Sequence, residues 1–207
     1  MQHTEVEDGM SSIGKIIKRS FDIIASLLGL VLLSPVYGVI FIILKCQGGK
    51  PAIYAQERIG FGGRPFLIYK FRTMTPNFES DGIPKLTAND MTDDLTPFCR
   101  FLRVHHLDEL PQLWNVLKGD MSFVGPRPER LFFINQIMQE RPDYVCLYQI
   151  QPGLTSLATL KNGYTDTISK MIVRLDMDLE YLKNRSVWLD FKIILTTIVF
   201  ILKGKKF

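Results

Sequence analysis

The feature that most constrains this chain is an apolar stretch of 24 residues, Phe21 to Leu44, interrupted by Asp22 and by Ser34-Pro35. Straight and helical, it would run about 36 Å, enough to cross a bilayer core. Two features argue against a simple crossing. Pro35 removes a mid-helix backbone bond and kinks the chain, and Ser34 can hydrogen-bond a group so freed. Basic residues also flank both ends: Lys15, Lys18 and Arg19 before, Lys45, Lys50, Arg58 and Arg64 after. The positive-inside rule then gives no polarity, as when both ends lie on one face. From the residues alone, a crossing and a re-entrant helix-break-helix that dips into one leaflet and returns are both open. A cleaved signal peptide is not expected, because the run is too long and no small-residue cleavage site follows it.

A second apolar block, Val187 to Leu202, is too short for a comfortable crossing. It reads either as a core helix or as one lying in the membrane interface, with Lys203, Lys205 and Lys206 placed for anionic headgroups. Residues 1–14, with Glu5, Glu7 and Asp8, read as a polar, poorly ordered tail. The length of 207 residues suits a single domain with a real core. A net charge of +4 is too modest to point to nucleic acid. Cys46, Cys99 and Cys146 form no CxxC pair and are odd in number, which argues against a zinc site and a disulfide framework. A reduced, cytoplasmic catalytic portion follows.

Between the apolar blocks the pattern is mixed. Ala52–Arg58 and Phe66–Phe71 alternate in part around Gly60, Gly62 and Gly63, predicting a hairpin. Pro97–Arg103 and Pro128–Gln139 carry apolar residues at helical spacing, and Pro76–Thr96, rich in Asp, Asn and Thr, reads as a surface loop. The chemistry concentrates in Leu107–Pro128. Asp108 reads as an N-cap, Pro111 suits a first helical turn, and Leu110, Leu113, Trp114 and Leu117 recur at helical spacing up to Gly119. A helix start also favours phosphate. Adjacent helical residues point about 100° apart, so Asp108 and Glu109 can do different jobs. One carboxylate could attack phosphorus while the other holds a hard divalent cation. The bland alternative is a cap and a solvated acid. His105 and His106 precede the pair at a spacing that also permits a His-liganded metal. Lys70 and Arg72 share one side of the second strand, and Arg127 is stiffened between Pro126 and Pro128, as suits a guanidinium meeting phosphate.

The chain resembles the bacterial sugar transferases, the monotopic phosphoglycosyl transferases. The motifs that carry the resemblance run in the family's order over most of the chain. They are Lys18-Arg19-Ser20-Phe21-Asp22, Ser34-Pro35, Gln56-Glu57-Arg58-Ile59-Gly60, Tyr69-Lys70-Phe71-Arg72-Thr73-Met74 and Phe101-Leu102-Arg103. The block LDELPQLWNVLKGDMS from Leu107 follows, then Val124-Gly125-Pro126-Arg127-Pro128 and Pro152-Gly153-Leu154-Thr155. Asp178-Leu179-Glu180-Tyr181 and Ser186-Val187-Trp188-Leu189-Asp190 close the match.

The resemblance implies an α+β, mainly helical fold: one monotopic catalytic domain with an N-terminal re-entrant membrane helix-break-helix and interfacial amphipathic helices. The corresponding division is a tail over 1–14, a re-entrant helix over 15–45 and a cytoplasmic catalytic domain over 46–207. It implies transfer of a sugar-1-phosphate from a UDP-sugar to polyprenol (undecaprenyl) phosphate, with release of UMP, as a membrane step in building a surface polysaccharide or glycoconjugate. In that scheme Asp108 is the nucleophile and Glu109 holds Mg²⁺. Lys70, Arg72, Arg127 and more weakly Arg103 contact phosphate or nucleotide, and Lys18, Arg19, Ser34 and Pro35 serve anchor and kink. The implied partners are a UDP-sugar, the polyprenol phosphate and membrane lipids, with no nucleic acid and with a homo-oligomer left open. The implied location is the inner face of the cytoplasmic membrane. The length leaves no room for the multi-span and soluble N-terminal regions of longer members, so a minimal form is expected.

His105 and His106 stand where the family usually has hydroxyl residues, Cys99 where glycine is usual, and Ser156 and Thr159 where glycine and glutamine are common. These departures spare the nucleophile and loosen any borrowed sugar assignment. A catalytically silent membrane scaffold and a metal-dependent phosphohydrolase using His105, His106, Asp108 and Glu109 are the rival readings.

Overall fold

A computed structural model describes residues 6–47, 51–74, 95–163 and 165–203. Helix α1, Ser12–Leu32, starts where the Ser11 hydroxyl accepts from the Gly14 amide at 3.1 Å. It is amphipathic in the inverse sense. Ile13, Ile16, Ile24, Val31 and Leu32 are exposed, whereas Asp22 and Ser26 are buried. Helix α2, Ser34–Cys46, follows after a bend of 59°. Pro35 has no N–H to give the Val31 carbonyl, and the Ser34 hydroxyl donates to that carbonyl at 2.8 Å instead. The Ser34-Pro35 break therefore bends the helix without leaving Val31 unsatisfied. No single helix among the described residues is long and apolar enough to cross a membrane.

Strands β1, Ile53–Ile59, and β2, Pro65–Phe71, form the expected antiparallel hairpin, with Tyr54 opposite Lys70. Gly62 and Gly63 take φ values of +67° and +70° in its connection, where a side chain would be strained. Helix α3, Pro97–Val104, is capped by the Thr96 hydroxyl on the Cys99 amide. The predicted surface loop ending at Thr96 lies almost wholly outside the described residues. Its last members, Leu95 and Thr96, serve the core and the cap respectively.

Helix α4, Gln112–Lys118, leads into β3, Ser122–Val124, which pairs in parallel with β4, Gly153–Thr155. Helix α5, Leu131–Glu140, starts later than the pattern predicts, because Arg130 before it is extended and the proline at 128 disfavours a helical predecessor. Helices α6, Leu157–Asn162, α7, Ile168–Asn184, and α8, Val187–Leu202, complete the mainly helical α+β fold.

Two apolar cores fix the site's frame. Ile40 and Leu44 of α2 pack with Phe71, Cys99 and Leu102, so α2, β2 and α3 share one core. Ile134, Ile137, Leu175 and Leu179 join α5 to α7 in another. Residues 6–11 are not a loose tail. Val6 packs on the cores, Met10 is buried, the Gly9 amide donates to the Leu182 carbonyl at 3.0 Å, and Asp8 pairs with Arg185 at 2.6 Å. The sequence's acids read as solvated, but Asp8 has a cation waiting on α7's far end. In α8, Asp190 and Ile193 face inward, while Trp188, Phe191, Leu195 and Ile198 are exposed. The helix is thus neither wholly core nor wholly surface.

Candidate active site

The site grows from a sharp turn after α3. His106 takes φ +52°, a left-handed conformation uncommon outside glycine, and redirects the chain into a 3-10 turn, Leu107–Glu109. Helix α4 begins only at Gln112, with Pro111 as its cap residue and no side-chain cap bond. Asp108 is therefore not an N-cap, contrary to the reading of its sequence neighbourhood. Pro111 cannot extend a hydrogen-bonded helix backwards, so the two carboxylates ride on the tighter turn that precedes it. With no helix start at the carboxylates, any attraction for phosphate there has to come from cationic side chains.

Those side chains are close. Lys70 Nζ lies 2.5 Å from Glu109 Oε1, and Arg127 Nη2 lies 3.5 Å from the same oxygen. Burial alone would raise the Glu109 carboxyl, but Lys70, then Arg127 and His106, hold it well below the usual range. Asp108 moves the other way. Burial and then the Glu109 charge push its carboxyl above the usual range, against the opposing pull of Lys70 and Arg103. Neighbours in sequence thus become chemically unequal: one a fixed anion, the other a more basic carboxylate. Burial also lowers the pKa of His106, so its ring favours the neutral form.

The other predicted cations fall into two sets. Arg103 lies near enough to pull on the Asp108 charge, and its Nη1 is buried without a hydrogen-bond partner. Arg72 sits 5.7 Å over the Tyr54 ring rather than on the carboxylates, with its Nε also buried and unpartnered. Buried guanidinium donors left open beside a carboxylate turn suit an incoming anion. Lys18 and Arg19 turn inward. Lys18 Nζ donates to the Val124 carbonyl at 2.9 Å and to Asp190 at 2.5 Å, and Arg19 donates to the Val116 and Leu117 carbonyls at 2.7 and 2.8 Å. They tie α1 to the body of the protein.

Sequence reasoning missed two positioning groups. Asn115, fully buried on α4, donates to the Leu67 carbonyl at 2.7 Å and accepts from the Tyr69 amide at 3.2 Å. It locks β2 to α4 and so fixes Lys70 relative to Glu109. The clue was an asparagine between Leu113, Val116 and Leu117, on a helix with no other use for a polar group. Glu129 is the second. It receives Arg174 and, at 3.3 Å, Arg58, while Arg58 Nη1 also donates to the Pro128 carbonyl at 3.2 Å. With the Ile59 amide on the Glu129 carbonyl at 3.0 Å, these bonds pin the Pro126-Arg127-Pro128 loop to the hairpin. Gly125 is required beside them, since a Cβ there would meet the Gln151 carbonyl at 2.4 Å. Gly60, Pro126, Arg127, Pro128, Tyr148 and Pro152 line a recess on this side.

The histidines do not assemble a metal centre. His105 packs its ring against Phe101 at 4.6 Å, and among the described residues no three His, Cys, Asp or Glu side chains gather as a site. Two adjacent carboxylates do match what Mg²⁺ takes from proteins, namely one or two carboxylates, with substrate oxygens and water supplying the rest.

Fold and site together define a class: a helical body that grips an apolar, inside-out helix pair and presents a carboxylate turn set among cations. The chain belongs to the bacterial sugar transferase family, whose model matches residues 13–204. A UDP-N-acetylgalactosamine-undecaprenyl-phosphate N-acetylgalactosaminephosphotransferase of Aeromonas hydrophila is 38% identical over 194 residues, covering 94% of this chain and 45% of its own length. A UDP-glucose:undecaprenyl-phosphate glucose-1-phosphate transferase of Klebsiella pneumoniae is 40% identical over 191 residues, covering 91% and 41%. A putative undecaprenyl-phosphate N-acetylgalactosaminyl 1-phosphate transferase of Bacillus subtilis is 44% identical over 128 residues, covering 62% and 70%. The chain spans less than half the length of the first two relatives.

Proposed function

We propose that this protein transfers a sugar-1-phosphate from a UDP-sugar to a polyprenol phosphate such as undecaprenyl phosphate, by way of a covalent phosphoglycosyl-aspartate. The observation that carries the reading is the unequal carboxylate pair, with Glu109 held by Lys70 and Arg127 and Asp108 left the more basic. An Asp108 oxygen attacks the β-phosphorus, the bond from that phosphorus to the bridging oxygen breaks, and UMP leaves with the bridging oxygen. An oxygen of the polyprenol phosphate then attacks the same phosphorus and frees Asp108, giving polyprenol diphosphate sugar. Arg103, Arg127 and Arg72 balance the diphosphate charge, and Glu109, anchored by Lys70, is the group that would help hold Mg²⁺. Bound there, Mg²⁺ would offset repulsion between the nucleophile and the phosphates.

One substrate is soluble and the other lies in a bilayer, which the inside-out α1–α2 pair accommodates. We read the pair as a re-entrant element that enters and leaves on the cytoplasmic face, with the exposed apolar side of α8 lying in the interface. The two longer relatives name different sugars, so the sugar is left to experiment. The test is UMP release by the detergent-solubilised protein with Mg²⁺, undecaprenyl phosphate and a panel of UDP-sugars, beside Asp108→Asn. Lipid-dependent turnover with one or two donors, lost in the variant, is expected. Equal release by the variant, or UMP from none of the donors, would sink the mechanism, and product formed without any lipid acceptor would favour a hydrolase.

A further inference from the structure

Helix α4 has only seven residues, about 10 Å of helix, too short to hold its own shape. The two limbs of the bent helix pair hold it, one at each end. At its C-terminal end, Arg19 of α1 takes the Val116 and Leu117 carbonyls. Along its length, Gly29 of α1 makes room for Leu113, since a Cβ there would stand 2.9 Å from the Leu113 side chain. At its N-terminal end, the hydroxyl of Tyr37, on α2, donates to the Leu110 carbonyl.

Leu110 directly follows Glu109. It is the junction where the 3-10 turn carrying Asp108 passes into α4. Its carbonyl already accepts from the Leu113 amide at 3.0 Å, and the Tyr37 hydroxyl occupies its remaining acceptor capacity. The Tyr37 ring packs on Phe71 at 5.6 Å, and Phe71 is 2% exposed between Lys70 and Arg72. A single half-buried side chain on α2 therefore touches both halves of the site: the carboxylate turn through its hydroxyl and the basic strand through its ring.

We propose that Tyr37 is a positioning residue that sets the carboxylate turn against Lys70, and that the bend at Ser34-Pro35 is what delivers it there. The role rests on the transferase reading above for its kinetic consequence, though not for its structural one. It makes the seating of α1–α2 and the geometry of the nucleophile a single mechanical unit. A displacement of α2 relative to α1 would act on the Leu110 junction directly, through the Tyr37 hydroxyl.

The test compares Tyr37→Phe, which keeps the ring on Phe71, with Tyr181→Phe, which removes an equivalent hydroxyl bond to Asp190 away from the turn. Both are made in the full chain and studied in lipid nanodiscs. Amide hydrogen exchange over residues 107–113, with α5 as an internal reference, is read first and needs no activity. Tyr37→Phe is expected to speed exchange in that segment several-fold while Tyr181→Phe leaves it unchanged. With a donor that supports turnover, Tyr37→Phe should lower kcat about tenfold, the worth of one well-placed hydrogen bond, with KM for the UDP-sugar held within about twofold. Formation of the covalent adduct on Asp108, followed by intact mass, should slow to match. Unchanged exchange over 107–113, or faster exchange with an unchanged kcat, overturns the proposal. Faster exchange in a wild-type background that makes no UMP with any donor would uphold the mechanical link and overturn the transferase reading instead.

Discussion

Two clusters of charge lie on either side of Arg127, one buried around Glu129 and one half-buried around Glu109, and they are built to opposite ends. Around Glu129, two arginines meet two carboxylates. Arg58 and Arg174 pair with Glu129, and Asp178 lies beneath them under the influence of Arg174. Around Asp108 and Glu109 the balance is broken: Lys70, Arg103 and Arg127 act on two carboxylates, and a guanidinium donor of Arg103 has no partner. The first cluster holds the loop that carries Arg127, and its own open atoms, Arg58 Nε and one Asp178 oxygen, are buried within it. In the second, three cations face two carboxylates among the described residues. A buried ion pair is weak evidence for function, but a buried surplus of donors is evidence for a ligand of opposite sign.

The two clusters part most visibly when their acids are substituted. Asp108→Asn should lose about 10³-fold or more in UMP release, as removal of a covalent nucleophile does, with little change in melting temperature. Glu129→Ala should do the reverse in kind: a loss of about 3–5 kcal/mol of stability, because Arg174 would be left buried without its anion. Denaturant melts alongside UMP assays separate the two. If Asp108→Asn unfolded the protein and Glu129→Ala left it stable, the assignment of the clusters would be exchanged.

A smaller effect sharpens the same contrast. Lys70→Gln removes the nearest cation from Glu109, so its carboxyl should rise toward the ordinary range, and KM for the UDP-sugar should increase about tenfold as Glu109 loses its anchor. The pH profile of the wild type carries a companion expectation. In the proposed mechanism attack needs ionised Asp108, whose pKa is raised by burial and by Glu109. The acid limb of kcat should then fall at pH values well above about 3.9, where an ordinary aspartate would still be fully ionised. An acid limb at the ordinary aspartate value would show that Asp108 is not the titrating nucleophile.

How much of this was legible in the chain depends on distance along it. The hairpin, α3 and the bounds of α8 followed from periodicity and turn residues, which are local signals. The break at Ser34-Pro35 was legible for the same reason. The start of α4 was misread because Asp before Pro looks like a cap, and only the left-handed His106 shows that the chain turns before the helix begins. Residues 6–11 were misread because Arg185, which captures Asp8, is 177 positions away. In the site, Lys70, Glu109 and Arg127 come together from three segments, and family resemblance flagged each of them. Glu129 and Tyr37 were invisible because their role is a bond to a distant backbone or side chain, whereas Asn115 left one trace, a polar residue among apolar ones on α4.

Asp178 supplies the most discriminating expectation, and the smallest in its effect on activity. Its carboxyl is 3% exposed, one oxygen has no hydrogen-bond partner, and burial, then the Glu129 charge, push its pKa up to about 7 despite Arg174. The folded protein therefore holds the Asp178 proton more tightly than the unfolded chain, whose aspartate titrates near about 3.9. The stability this group contributes is full below that value and is lost as pH rises through about 7. Asp178→Asn mimics the protonated form, so it should match the wild type at acid pH and exceed it at alkaline pH by up to about 4 kcal/mol, the linkage equivalent of about three pKa units. Melting temperatures of the two proteins across that range would show a gap that widens with pH, with UMP release unchanged. A constant gap, or a variant that is less stable at alkaline pH, would mean that Asp178 is ionised in the fold and that its charge is needed beside Glu129 to match Arg58 and Arg174.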